Sequence, residues 1–317
     1  MSAPDVIEAA AAILGDRARR DEPLGPRTTY RVGGPAALFV TVEDEGDIAA
    51  VTAAVRETGI EVLVIGKGSN LLVADEGFDG LAITLAGRYL EVEIAGTRVR
   101  AGGAAPLPVV ARRTAAAGLT GFEWAVGVPG TIGGAVRMNA GGHGSDMAAS
   151  LRRVRVVDLR TGEDGTVAAA DLALGYRRSA LAPHQLVVEA ELALAPGDPD
   201  EGARLISEIV AWRRANQPGG ANAGSVFTNP PGDSAGRLID LAGAKGLRIG
   251  TAQVSPKHAN FIQADEGGRA ADVYALMRAV QERVVAATGI RLHPETHLVG
   301  FPPLDPEPDP RPEVDGR

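Results

Sequence analysis

The chain has 317 residues, 45% of them hydrophobic and 23% charged, enough for about two domains of ordinary size with real apolar cores. It contains no cysteine, which excludes disulfides, thiolate metal sites and a cysteine nucleophile and suits a reducing cytoplasm. With a net charge of −8 and only 4% aromatic residues, it is not expected to carry a broad polyanion-binding face or stacking platforms for nucleic acid; a local basic pocket for a nucleotide stays open.

The early run AAAAIL lies between Glu8 and Asp16 with no basic residue before it, so no signal peptide is expected. No apolar run approaches the ~18 residues of a membrane span, and a soluble cytoplasmic protein is expected. Residues 3–19 have amphipathic spacing and predict a helix, and TTYRVGGPAALFV is a turn-rich entry to a strand near 36–40. Asp47 is placed to cap a helix with Ile48, Val51 and Val55 on one face, and Gly59 to end it. EVLVIG (61–66) reads as a buried strand running into a glycine loop, a βαβ-like start. From 81 to 194 short β-rich runs follow one another (LAITL, YLEVEI, TRVRAG, VRVVDL, LVVEAELAL), interrupted by a helix near 106–117. This predicts an α+β fold with much antiparallel sheet rather than a doubly wound one.

PGDPDEG (196–202) reads as a linker. A helix with Leu205, Ile209 and Trp212 at helical spacing follows, then a Gly/Asn-rich loop, GRLIDLAG and HANFIQ. A long helix over 270–288 carries Val273, Leu276, Met277, Val280 and Val284 on its inner stripe and stops at Gly289. Residues 302–317 alternate proline with charge and predict a disordered tail.

Two glycine-rich stretches carry the chemistry. In GKGSN (66–70), Gly66 and Gly68 let a backbone approach a phosphate, and successive N–H groups can form an anion-binding concavity. Leu71 stands where a dinucleotide fingerprint would need glycine, and Lys67 lacks the spacing of a P-loop. Alone, this segment reads first as a tight turn. GVPGTIGGAVRMNAGGHG packs in Gly127, Gly130, Gly133, Gly134, Gly141, Gly142 and Gly144. Glycine costs roughly 0.5–1 kcal/mol per residue in regular structure, so that density favours a backbone wrapped against a flat ligand and its diphosphate.

RTTYRVGG, VIGKGSNLLV, GVPGTIGGAVRMNAG, GYRRS, AGSVF and LHPETHLVG occur here in the order found in the UDP-N-acetylenolpyruvoylglucosamine reductases. The resemblance covers residues 27–300 and is to the shorter form of the family, without a tyrosine-bearing loop over the substrate. It implies a VAO/PCMH-type FAD-binding region in two parts (1–80 and 81–200) and a C-terminal α+β substrate-binding domain (201–301). It further implies non-covalent FAD, NADPH as electron donor, a UDP-sugar enolpyruvyl substrate and a place in bacterial cell-wall synthesis; a monomer without a metal is expected.

By the same resemblance Ser225 is the proton donor and Arg177 and Glu295 are the charged catalytic residues. A guanidinium suits this chemistry because it can pair with the substrate carboxylate as negative charge grows there. Implied FAD contacts are Tyr30, Arg31, Gly66, Lys67, Gly68, Ser69, Asn70, Leu71, Pro129, Gly130, Thr131, Gly133, Gly134, Asn139, Gly141 and Val188. Expected substrate contacts are Asn229, Arg214 and Lys245, with Arg213 beside them. Thr228 and Asn216 stand where the family commonly has lysines, so these other cations are expected to serve.

His293, Glu295 and His297 share one face if the HPETH segment is extended, but Pro294 excludes the helical metal-binding arrangement. His143 is a weak candidate for covalent flavin attachment. The alternatives are a flavin oxidase of the same fold acting on an alcohol or sugar, and a non-catalytic flavin- or nucleotide-binding regulator.

Overall fold

A computed structural model describes residues 2–304. The expected helix over 3–19 is shorter: Ala3–Leu14 is capped by reciprocal hydrogen bonds between Ser2 and Asp5 and ends at Gly15, whose φ of 56° is costly for other residues. Arg19–Pro23 forms an edge strand antiparallel to Pro35–Val42 instead. That strand pairs in parallel with Phe78–Leu85, which pairs in parallel with Val62–Val64. The four make the first sheet, so the first unit runs past residue 80. The helix Glu45–Thr58 is capped by Asp44, not Asp47: the Asp44 carboxylate accepts the Asp47 N–H at 3.0 Å. Gly59, with φ of 70°, closes it as expected.

Of the β-rich runs, LAITL falls in the first sheet, within Phe78–Leu85; the other four, joined by Asp164–Ala168, form a five-stranded antiparallel sheet in the order Asp164–Ala168, Leu151–Asp158, Gln185–Ala193, Arg98–Gly102, Val92–Ala95. The expected linker is largely structured, because Ala195–Pro196 pairs with Leu119–Thr120 and Asp198 caps the helix Pro199–Asn216. Ile206, Ile209 and Val210 of that helix pack into the core of this second unit with Leu119 and Trp124. By packing, the C-terminal domain therefore begins after this helix rather than at residue 201.

In the C-terminal domain a three-stranded sheet is covered by the helix Ala270–Thr288, whose predicted stripe is buried and whose end is Gly289 at φ of 73°. This core also takes in Tyr30, Val32 and Leu72 from the N-terminal part and Leu304 beyond the expected boundary at 301. The packed chain thus reaches Leu304; residues 305–317 of the expected tail lie outside the described residues. The chain then returns to the first unit, where His297–Val299 pairs in parallel with Leu71–Val73.

A second tie joins the same parts. Arg269 occupies the cap position of the 270–288 helix and has no acceptor to offer. Asp75 supplies it from 195 residues away: its Oδ1 accepts the Ala270 N–H at 2.8 Å and its Oδ2 the Ala271 N–H at 3.1 Å. Losing a capping side chain costs ~1 kcal/mol. Asp75→Ala should lower the unfolding free energy from chemical denaturation by about that much, with Asp75→Asn, which keeps one acceptor, falling between.

Candidate active site

The two glycine stretches touch. A Cβ on Gly66 would sit 2.7 Å from Thr131 Oγ1, so the loops meet where no side chain fits. Gly68 has φ of 56°, and its Cβ would lie 2.4 Å from the Arg27 carbonyl oxygen. The Thr29 N–H donates to the Gly68 carbonyl at 3.2 Å, which anchors the loop against the preceding segment. Gly133 packs against Gly103, donating its N–H to that carbonyl at 2.9 Å. Gly130 and Gly134 are not crowded by protein; both line a cavity of about 1290 Å³ at the junction of the three units. That exceeds the ~300–1,000 Å³ of an ordinary ligand pocket and leaves room for a dinucleotide with a second ligand.

The donor set fits a diphosphate. Among the described residues, the main-chain N–H groups of Lys67, Gly68, Ser69, Asn70, Gly130 and Thr131 have no acceptor within the protein, and all six residues line the cavity. Unpaired amides beside glycines are what a phosphate group needs. Gly66, Leu71, Pro129, Gly134 and Gly141 also line it.

Tyr30, Arg31, Gly133, Asn139 and Val188 do not line the cavity, contrary to expectation. Tyr30 is buried in the C-terminal core with Val226 and Phe227, and burial pushes its phenol pKa up. Arg31 sits in a turn with φ of 58°, its N–H bonded to Thr28. The Val188 carbonyl accepts the Gly103 N–H at 2.8 Å, behind Gly133. Asn139 is buried and braces the wall: its Nδ2 donates to Asp146 Oδ2 and to the Gly175 carbonyl, both at 3.1 Å, and its Oδ1 accepts the Ala148 N–H at 2.9 Å. The sequence pattern puts all of these beside the ligand, whereas the fold sets Tyr30, Asn139 and Val188 behind the cavity wall and leaves Arg31 exposed away from it.

Arg177, Ser225 and Glu295 all line the same cavity. Arg177, at a φ of 57°, brings its Nε to 2.6 Å from Glu295 Oε1, although that N–H is not aligned for a hydrogen bond. Its Nη1 donates to the Gly141 carbonyl at 3.3 Å. Ser225 and Glu295 come to the same cavity because their segments pair: the Glu295 N–H donates to the Val226 carbonyl at 2.8 Å and Phe227 bridges to Pro294. Asn70 joins the first glycine loop to this pair, its Nδ2 donating to the Glu295 carbonyl at 2.9 Å and its carbonyl accepting the His297 N–H at 2.9 Å. Burial pushes the Glu295 carboxyl pKa up, and the Arg177 guanidinium only partly opposes it.

None of Asn229, Arg214 and Lys245 lines the cavity. Asn229 Oδ1 accepts the Ala235 N–H at 3.0 Å, Lys245 pairs with Asp240 at 3.5 Å, and Arg214 lies in a separate groove between two helices. Arg213 does line it, its guanidinium anchored on the Gly127 carbonyl. Glu295 and His297 line the cavity but His293 does not, so HPETH offers no trio there. Sequence reasoning missed Gln217 and Thr296, which line the cavity and whose Oε1 and Oγ1 are buried without partners among the described residues; no local pattern marks them.

Two family models match the chain: an FAD binding domain over residues 36–167 and the C-terminal domain of UDP-N-acetylenolpyruvoylglucosamine reductase over residues 216–299. A UDP-N-acetylenolpyruvoylglucosamine reductase from Heliobacterium modesticaldum is 44% identical over 287 residues, covering 89% of this chain and 90% of its own. The chain belongs to the UDP-N-acetylenolpyruvoylglucosamine reductase family. A relative from Symbiobacterium thermophilum, UDP-N-acetylenolpyruvoylglucosamine reductase 2, is 40% identical over 305 residues, covering 95% of this chain and 99% of its own. The crystal structure of the Thermus caldophilus reductase superposes with a TM-score of 0.78 at 38% identity, over 89% of this chain and 99% of that one. The α+β fold, with a two-part FAD-binding region and a C-terminal α+β domain, is that of the family.

Gly68→Ala should give protein that purifies with little flavin absorbance, since the added methyl meets the Arg27 backbone in a conformation alanine resists. The pH dependence of stability offers another check. A carboxyl whose folded pKa is raised lets the native state hold extra proton, so its contribution is full below the unfolded pKa and is lost as pH rises through the folded value. The stability of the wild type relative to Glu295→Gln should therefore fall as pH rises above 4.5, a difference read from paired denaturation curves taken across this range.

Proposed function

We propose that this chain reduces UDP-N-acetylglucosamine enolpyruvate to UDP-N-acetylmuramate, using NADPH and a non-covalently held FAD. The observation that carries the reading is that Arg177, Ser225 and Glu295 share one cavity with two glycine loops whose amides lack protein partners. The loops at 66–70 and 129–134 would hold the FAD diphosphate. The reaction adds a hydride and a proton across the enol ether double bond, and FAD, when bound, supplies the hydride after NADPH has reduced it.

In this reading Arg177 pairs with the substrate carboxylate and stabilises the negative charge that grows on it. The Ser225 hydroxyl gives its proton to the carbon bearing that carboxylate. A hydroxyl is a weak acid, so its oxygen needs a cation nearby as the proton leaves, and Arg177 is the cation of this constellation. Glu295 holds Arg177 in its unfavourable backbone conformation and adjusts the local proton affinity. Arg213, Gln217 and Asn222, all on the cavity wall, are the proposed polar contacts to the nucleotide in place of the lysines absent at Thr228 and Asn216. The enzyme would act as a cytoplasmic monomer in peptidoglycan precursor synthesis, and so serve cell shape and division.

The test is a pair of anaerobic half-reactions. In Ser225→Ala, bleaching of the flavin by NADPH should survive, while its reoxidation by the enolpyruvyl nucleotide slows roughly 10²–10⁴-fold. Equal loss in both halves would sink the proton-donor role, and a wild-type enzyme that the nucleotide cannot reoxidise would sink the substrate.

A further inference from the structure

We infer that Asn260 is a positioning residue that sets the direction of the Ser225 hydroxyl through the main chain of Val226 and Phe227. The inference rests on the proton-donor reading of Ser225.

Asn260 is only 2% exposed, and a buried amide cannot be left without partners except at a cost in stability. Here both ends of the side chain are spent on one residue. Its Oδ1 accepts the Phe227 N–H at 3.0 Å and its Nδ2 donates to the Phe227 carbonyl at 2.8 Å. Its own carbonyl accepts the Val226 N–H at 2.9 Å. A side-chain amide thus copies the two hydrogen bonds that a neighbouring strand would make, and fixes the peptide planes on both sides of Phe227.

The other edge of the segment is held as well. The Val226 carbonyl accepts from the Glu295 N–H at 2.8 Å and the Thr296 N–H at 3.3 Å. The residue after Ser225 is therefore gripped from both sides, while among the described residues the Ser225 hydroxyl has no partner within the protein. Such a group is free to act but depends on its backbone for aim. A misplacement of about 1 Å can cost on the order of 10²-fold in rate.

Asn260→Asp separates positioning from mere support. A carboxylate accepts but cannot donate, so it would face the Phe227 carbonyl with repulsion; once protonated, its O–H restores the missing donor. The titratable groups around it are His258, whose Nδ1 accepts the Asn260 N–H at 3.3 Å, Lys245 near His258, and Glu295 across the Ser225 segment. Dividing by the wild-type profile at each pH removes their contribution.

The holoenzyme variants are measured by anaerobic stopped flow with NADPH and then with the enolpyruvyl nucleotide. In Asn260→Asp, flavin reduction should stay within about twofold of wild type, while reoxidation falls on the order of 10²-fold at pH 8 and recovers relative to wild type as pH is lowered. Asn260→Ala should show a selective loss in reoxidation with no recovery at low pH. Proportional loss in both halves, a pH-independent ratio for Asn260→Asp, or wild-type reoxidation in Asn260→Ala would each overturn the inference. Failure of both variants to form folded holoenzyme would assign Asn260 to folding and overturn it too. Ser225→Ala run alongside keeps the two ideas apart. Normal reoxidation there removes the proton-donor reading itself, whereas slow reoxidation there with normal rates in Asn260→Ala removes only the role of Asn260.

Discussion

The site depends on one backbone closure, the parallel pairing of His297–Val299 with Leu71–Val73. Strand pairing fixes register residue by residue, so this short ladder determines where Glu295 lies relative to the glycine loop at 66–70. Asn70 finishes the junction by using its side chain on the Glu295 carbonyl and its carbonyl on the His297 N–H. Ser225 is then carried in by its pairing to the same segment, through Val226. Glycine loop, carboxylate and hydroxyl thus share one short stretch of hydrogen-bonded backbone.

Charge completes what the backbone begins. Glu295 is drawn out of water and would favour its neutral form, but Arg177 approaches to 2.6 Å and counters part of that penalty. Arg177 does this from a left-handed backbone conformation, a strain of about 1–3 kcal/mol for such a residue. The brace from Asn139 to the Gly175 carbonyl is one of the contacts that hold the turn there. Strain at the guanidinium and burial at the carboxylate are each tolerated because the other is present.

Features governed by local chemistry were legible in the sequence. The 270–288 helix, its buried stripe and its glycine stop follow from periodicity and from the conformational freedom of Gly289. The β-rich runs of the second sheet follow from composition. Ordered motifs carried Arg177, Ser225 and Glu295 to a common cavity. What could not be read was set by contacts distant in sequence. Asp75 caps a helix 195 residues away, and no local pattern marks it. Asn260 and Asn139 look like ordinary loop polar residues until their partners are seen. Asn229, Arg214 and Lys245 were chosen by type and neighbourhood, and packing turned each toward another partner or surface. The first helix is shorter than its amphipathic spacing because Gly15 ends it at a positive φ and Arg19–Pro23 is taken up in strand pairing.

The same closure orders the birth of the molecule. Asn70 and Glu295 are separated by 225 positions, and at the usual pace of translation the ribosome needs on the order of ten to forty seconds to travel that far. Throughout that interval the first glycine loop is already outside while the strand that backs it does not yet exist. Flavin met by the nascent chain finds an unfinished cleft, and Leu72, later covered by the C-terminal core, waits uncovered. Maturation of the cofactor site is thus tied to synthesis of the C-terminal domain, which leaves the half-made protein dependent on whatever shields its apolar surface.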